Sequence, residues 1–331
     1  MAVIKMIKRK LRIGIAGCGG FGNFHLDNLL KMEDVEIVAL YNRGMENLEK
    51  TGKKAPKARL YQDYNAMLSK ERMDALIICL TPDQHGPLEK LCCKKKIHMY
   101  IEKPVGLSAE AAGEINEEIQ FSGVITSVGY NERYSKPIEL VKDIITREPV
   151  GLATAYWISG MPESKWWRTK AQSGGQVVEQ STHLVDMMRY LFGEVKSVYA
   201  AGGRNEKFGG SEHDVEDYSS SVLLFKNGVT VNLISGCYSK NFAKTSFELF
   251  TPNFRVEYLL ADSVRISSGE RSEEVKVMEE NHMTALKTFI NAVKTGERYE
   301  IRSPYSNAVE SLKVTLAVNE SLSTGKVVEL S

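Results

Sequence analysis

Leu11 to Gly22, LRIGIAGCGGFG, decides how the rest of the 331-residue chain is read. Leu11 to Ala16 is a short apolar run of the kind that forms a buried strand. It runs straight into Gly17-Cys18-Gly19-Gly20-Phe21-Gly22, a G-x-G-x-x-G. Asn23 to Leu30 follows, with Phe24, Leu26, Leu29 and Leu30 at near-helical spacing. Strand, glycine turn and helix in this order form the context in which the motif binds a dinucleotide. Gly17 permits the tight turn, Gly19 lets backbone approach a pyrophosphate, and Gly22 lets helix pack on strand. The helix N-terminus then offers free N–H groups and a positive dipole end to the phosphates, and Gly20 and Phe21 of the motif are candidate cofactor contacts with its other glycines.

Working outward, strand and helix patterns alternate. Val35 to Tyr41 reads as a strand, Met45 to Gly52 and Tyr64 to Ser69 as helices, and Asp74 to Leu80 as a second buried strand. Leu88 to Lys95 reads as a helix, His98 to Ile101 as a strand, Ser108 to Ser122 as a helix, and Val124 to Val128 as a strand. Repeated βα units imply a parallel sheet with right-handed crossovers. After residue 130 the pattern changes. Ser135 to Thr146 and Gln176 to Phe192 read as helices, and five strands follow between Val195 and Leu259, two of them joined by Lys226-Asn227-Gly228, a hairpin signal. Phe208 to Ser211 and Ser267 to Gly269 read as loops, and two helices close the chain. The expectation is an α/β chain: residues 1–130 a doubly wound parallel sheet that binds NAD(P), residues 131–331 an α+β domain with a mostly antiparallel sheet for substrate and self-association.

Composition sets bounds. The 43 basic and 42 acidic residues nearly cancel, which gives no reason to expect nucleic acid or an anionic membrane as partner. No apolar run approaches the ~20 residues of a membrane helix. The basic start, with Lys5, Lys8, Arg9, Lys10 and Arg12, reads as a solvated tail leading into the first strand. The five cysteines are odd in number and form no C-x-x-C, which points to a reducing cytoplasm.

Candidate chemistry gathers at strand ends. An acid commonly ends the second strand of an NAD site, hydrogen-bonded to the ribose. Here Asn42 takes its place and Arg43 follows. An Arg fork can hold a 2′-phosphate, so NADP is favoured. The alternative is an Arg43 that stacks on adenine or faces water. Thr81-Pro82-Asp83-Gln84-His85 follows the strand ending at Leu80, and its His85 either touches the dinucleotide or opens the next helix. Glu102-Lys103-Pro104 follows the next strand. A lysine near a cationic nicotinamide is a candidate base, and the alternative is a solvated lysine at a turn. Glu179, His183 and Asp186 share a helical stripe. Two ligands at i, i+4 need a third from elsewhere, so no metal is expected; the stripe holds either a structural histidine or a catalytic, substrate-binding cluster. Trp157, Trp166, Trp167 and Arg168 precede it. Aromatic faces suit a sugar or a nicotinamide, and Arg168 a phosphate or carboxylate.

GCGGFG at 17–22, TPDQH at 81–85, EKP at 102–104, GYNERY at 129–134 and GGQVVEQSTHLVD at 174–186 together resemble the Gfo/Idh/MocA oxidoreductases, a family that contains glucose–fructose oxidoreductase and inositol dehydrogenase. The resemblance covers nearly the whole chain. It implies a Rossmann domain followed by an open-faced α/β domain, and homodimers or homotetramers. It implies that Lys103 is the catalytic lysine, exchanging the hydroxyl proton, with His183 near the reacting hydroxyl and Glu179 orienting it. Tyr130, Arg133 and Trp166 would join Lys103, Glu179 and His183 around substrate. Thr81, Pro82, His85, Glu102, Trp167 and Arg168 would join the glycine loop, Asn42 and Arg43 around the cofactor. Two positions depart from the family: Glu179 stands where an Asp is common, and no acid follows the second strand. The implied activity is NAD(P)-dependent oxidation of a sugar, polyol or cyclitol, or reduction of the matching ketone. The alternatives are a dinucleotide-binding regulator without chemistry and a glycosidase that uses bound NAD as an internal redox relay.

Overall fold

In the computed structural model, which describes residues 9–209, 212–278 and 280–330, six strands form the first sheet. They are β1 (Leu11–Ala16), β2 (Val35–Tyr41), β3 (Arg59–Tyr61), β4 (Ala75–Ile78), β5 (His98–Ile101) and β6 (Thr126–Val128). All pair in parallel, in the order β3-β2-β1-β4-β5-β6. β1 and β4 are apolar almost throughout because helices cover both faces of such a sheet. The crossovers are α1 (Gly20–Leu29), α2 (Met45–Gly52), α3 (Tyr64–Lys70), α4 (Pro87–Lys95) and α5 (Ala109–Ser122). The order reverses between β1 and β4, and the crevice at the carboxyl ends of the strands there is where such sheets bind ligands.

After α6 (Lys136–Arg147) the chain builds a second sheet. Its strands are β7 (Leu152–Ile158), β8 (Val195–Gly203), β9 (Tyr218–Phe225), β10 (Thr230–Gly236), β11 (Lys244–Phe250), β12 (Arg255–Leu259), β13 (Ser263–Ser268), β14 (Arg271–Lys276) and β15 (Val328–Glu329). Between β7 and β8 lie the short turn α7 (Lys170–Ser173) and the helix α8 (Thr182–Phe192); another short turn, α9 (Glu206–Gly209), precedes β9. The order is β14-β13-β12-β11-β7-β10-β9-β8-β15, antiparallel except for β7 with β10. The register aligns Val198, Leu223, Val231, Ala153, Leu249 and Val256 in one buried row across six strands. The neighbouring row, on the other face, runs Tyr199, Val222, Asn232, Thr154 and Glu248. Alternation thus gives this sheet one packed and one open face, as antiparallel sheets allow.

The last two helices, α10 (Asn281–Thr295) and α11 (Tyr305–Thr324), return to the first sheet. Ala285, Leu286 and Phe289 of α10 pack with Ile13, Ile15 and Tyr100. In α11, Tyr305, Ala308 and Leu312 pack with the first sheet, and Val314, Ala317 and Val318 with the second. One helix therefore joins the two layers and fixes the cleft between them.

Some expectations need adjustment. The hairpin of β13 and β14 includes Ser267 to Ser268, read from sequence as a loop. The cause is the sequence of β14, RSEEVK, exposed along nearly its whole length, which carries no alternation to read. Of the loop expected at Phe208 to Ser211, Gly210 and Ser211 lie outside the described residues, as do Lys5 and Lys8 of the basic start. Arg9 pairs with Asp74 at 2.7 Å. Among the described residues no helix is long and apolar enough to cross a membrane.

Candidate active site

The glycine loop meets the demands on its residues. Gly17 has φ +98°, and a Cβ there would lie 2.1 Å from the Cys79 carbonyl oxygen. At Gly22 a Cβ would lie 1.8 Å from the Gly17 carbonyl oxygen, so helix and turn touch only because both residues lack side chains. At Gly19 and Gly20, by contrast, a Cβ would meet nothing within 4 Å. No side chain caps α1, and its first turn holds no acid, so the N–H groups there remain for an anion. Open space, glycine turn and uncapped helix suit a dinucleotide pyrophosphate.

A cleft of about 440 Å³ runs from this loop to the second domain. At its β2 end it is lined by Tyr41, Asn42, Arg43 and Asn47, none of them acidic. Asn42 Oδ1 accepts from the Cys18 N–H at 3.1 Å, and its Nδ2 donates to the Gly44 carbonyl at 2.8 Å. Asn42 thus braces the loop.

Thr81, Pro82 and Gln84 line the cleft. His85 does not. Its Nδ1 lies 2.6 Å from Glu89 Oε1, and Glu89 also accepts from the Gly86 N–H at 2.7 Å. Of the two readings weighed for His85, the structure places it at the opening of α4.

The far end of the cleft holds the ionisable groups. Lys103 Nζ donates to Glu179 Oε1 at 2.6 Å and to the Glu179 carbonyl at 2.7 Å. Glu179 Oε2 accepts from Trp167 Nε1 at 2.7 Å. Both residues are nearly buried, so little water competes for these bonds. A segment of π-helix, Val177–Ser181, places Glu179 here. Its wider turn displaces Glu179 from the stripe that an uninterrupted α-helix would give. The expected stripe therefore separates. Glu179 turns to Lys103, His183 stacks on Trp157 (5.6 Å between centroids, 13° between planes), and Asp186 turns to Arg133. Burial, then the charges of Lys103 and His282, push His183 well below the usual imidazole range, so it is neutral near pH 7. Among the described residues no group of three or more His, Cys, Asp or Glu is gathered to hold a metal.

Three expected contacts stand elsewhere. Arg133 is buried and engaged on every side: Nε and Nη2 bond Asp186 at 2.6 and 2.7 Å, Nη1 the Arg302 carbonyl, and Nη2 also Asn307. With Ser311 on Asp186 at 2.7 Å, this clamp ties α8 to α11 and occupies four of the five guanidinium N–H groups. Tyr130 is also buried; its hydroxyl pairs with Thr182 at 2.8 Å and its ring meets the edge of His183. It supports His183 from behind. Arg168 bonds the Pro162 carbonyl and Glu212, and lines a separate recess with Lys207 and Lys240. Trp166 and Trp167 both line the main cleft. Sequence reading missed Cys79, Pro162 and Ser164 in the lining, and His25 behind it. Cys79 was recoverable from its place at the end of a buried strand; Pro162 and Ser164 lie in a loop without a pattern.

Comparison with known proteins follows the same layout. The model of the GFO_IDH_MocA "Oxidoreductase family, NAD-binding Rossmann fold" matches residues 11–130, and that of the "GFO/IDH/MocA C-terminal domain" matches residues 148–253. The chain is 27% identical over 306 residues to myo-inositol 2-dehydrogenase of Thermotoga maritima, covering 87% of this chain and 89% of that one. It is 29% identical to D-apiose dehydrogenase of Paraburkholderia graminis, covering 80% of this chain and 70% of the relative. The WlbA dehydrogenase of Bordetella pertussis, solved with NADH and UDP-GlcNAcA, shares the fold with a TM-score of 0.84 at 19% identity, covering 98% of each chain.

Proposed function

This chain belongs to the Gfo/Idh/MocA family of NAD-binding oxidoreductases, and from that premise we propose that it moves a hydride between a nicotinamide dinucleotide and the carbinol carbon of a sugar, polyol or cyclitol. One observation carries the proposal. A Lys103–Glu179 pair stands at the end of the cleft that opens from the glycine loop, and a neutral His183 lies within the field of Lys103. When bound, the dinucleotide supplies the hydride acceptor at its nicotinamide ring. Residues of the chain supply the rest. Oxidation releases one hydride and one proton from the carbinol, leaving a ketone. His183, unprotonated, accepts the hydroxyl proton. Lys103 donates to the Glu179 carbonyl and to Glu179 Oε1, and these two bonds fix the direction of its Nζ. It holds the substrate oxygen and the charge that develops there. Glu179 fixes Lys103 and Trp167 together. This division gives the proton to His183 and the oxygen to Lys103, where sequence reading gave the proton to Lys103.

A panel of sugars and inositols, screened with both dinucleotides by nicotinamide absorbance, tests the proposal. Steady formation of reduced dinucleotide with at least one member is expected. Binding without any turnover would favour the regulator. Sugar release with no net change in a retained cofactor would favour the glycosidase.

The β2 end favours NADP. Arg43 borders the cleft beside an Asn42 whose amide is committed to the loop, and no carboxylate there opposes a 2′-phosphate. Arg43→Ala is expected to weaken NADP binding by ~1.5–3 kcal/mol, the worth of a charge-assisted hydrogen bond, and to leave NAD nearly unchanged. Titration of both cofactors into both proteins checks it; equal losses would overturn the preference.

The open face of the second sheet exposes Tyr199 and Val222 in one row and Leu152 and Phe250 in another, and suits a partner copy, hence a homodimer or homotetramer. Five free cysteines, all buried or half-buried, suit a reducing cytoplasm.

A further inference from the structure

Beside Lys103 lies a buried carboxylate that the chemistry above does not use. Glu102 ends β5, is 6% exposed and lines the cleft. Its Oε1 lies 2.7 Å from His25 Nε2, on the helix that follows the glycine loop. His25 is fully buried and its Nδ1 has no partner. His25 pins Glu102 from the helix side. Burial works against ionisation of Glu102, but the hydrogen bond and charge of His25, with the charges of Lys103 and His282, outweigh it and hold the carboxyl below its usual range.

Among the described residues no lysine or arginine forms an ion pair with Glu102. Lys103, next in the chain, is paired with Glu179. Glu102 Oε2 accepts no hydrogen bond among the described residues, while the polar groups around it are the Cys79 thiol, the Tyr100 hydroxyl and His282. Room for the carboxylate is kept by Gly129, where a Cβ would lie 2.6 Å from Oε2 and 2.9 Å from Oε1.

In a sheet of this order the adenine ribose goes to the β2 side, and the nicotinamide half crosses the switch point towards β4 and β5. Glu102 stands on that second side, as Lys103 does. An oxidised nicotinamide carries one positive charge, which is lost when the ring accepts a hydride. We propose that Glu102, pinned by His25, is the counter-charge for the oxidised nicotinamide, so that the protein holds the oxidised cofactor in preference to the reduced one. This rests on reading the cleft as a dinucleotide site. It makes alcohol oxidation the favoured direction on the enzyme.

The test is binding of each redox form to the full chain, by tryptophan fluorescence or calorimetry. Wild type is expected to bind the oxidised form at least as tightly as the reduced. In Glu102→Gln the Kd of the oxidised form should rise about ten- to hundredfold, as expected for loss of one close charge pair, while that of the reduced form moves less than about threefold. Glu102→Asp keeps the charge and should keep most of the preference. Equal loss of both forms in Glu102→Gln, or no change in either, would overturn the counter-charge. Should that variant fail to fold, as read from its thermal melt, a wild type that binds the reduced form more tightly would overturn it. A wild type that binds neither form would instead overturn the dinucleotide reading.

Discussion

Lys103→Met is expected to lower turnover by ~10²–10⁴, roughly 3–5 kcal/mol of barrier, while dinucleotide affinity stays within a few-fold. The side chain keeps its length and loses its charge. Glu179 would then be left nearly buried with Trp167 as its one remaining side-chain partner among the described residues, and the substrate oxygen would lose its cationic donor. The pH dependence should report a second effect. Lys103 is one of the charges that push His183 down. Without it the imidazole titrates higher, so the acid limb of kcat/KM should move towards neutral pH. The sign follows from the role: His183 works unprotonated, activity falls as pH drops through its pKa, and a higher pKa brings that fall earlier. A Lys103→Met protein with near wild-type turnover would remove Lys103 from the chemistry. A large rate loss with the acid limb unmoved would show that the two groups do not share a field.

His183→Gln is expected to cost a similar factor, ~10²–10⁴ in kcat, with the acid limb abolished. Glutamine retains a polar planar group against Trp157 but cannot accept a proton at neutral pH. In wild type the limb should lie below the ordinary imidazole range, because burial, Lys103 and His282 all disfavour the charged ring. Dinucleotide binding should survive, since His183 lies outside the residues that line the cleft from the glycine loop to Trp167. Survival of the acid limb in His183→Gln would mean that another group takes the proton.

These positions were legible to different degrees, and the reasons are physical. Gly17, Gly22 and Lys103 could be read because their neighbours in sequence are also their neighbours in space. A buried strand ends, and the next residues must face the crevice. The π-helical segment at Val177–Ser181 could not be read, because a widened turn leaves no mark in residue spacing. It separates Glu179, His183 and Asp186, which an α-helical count places together. Arg133 misled for another reason. Its partners Asp186, Arg302 and Asn307 come from up to 174 positions away, and only the fold reveals how far the guanidinium is engaged. The pairing of His25 with Glu102, 77 positions apart, was hidden in the same way. The return of α10 and α11 to the first sheet was also invisible, since amphipathic spacing states that a helix packs but not on which sheet. β14 failed because its residues are exposed along nearly the whole strand.

The most direct measurement follows a labelled hydrogen. A sugar or inositol taken from the substrate panel, carrying deuterium on the carbinol carbon, is turned over with oxidised dinucleotide, and the reduced cofactor is examined by mass spectrometry and NMR. Direct transfer between carbinol and nicotinamide requires one deuterium in each molecule of reduced cofactor, at C4 and on a single face, with one ketone formed beside it. Deuterium released to water, or ketone formed without labelled cofactor, would contradict hydride transfer in this cleft.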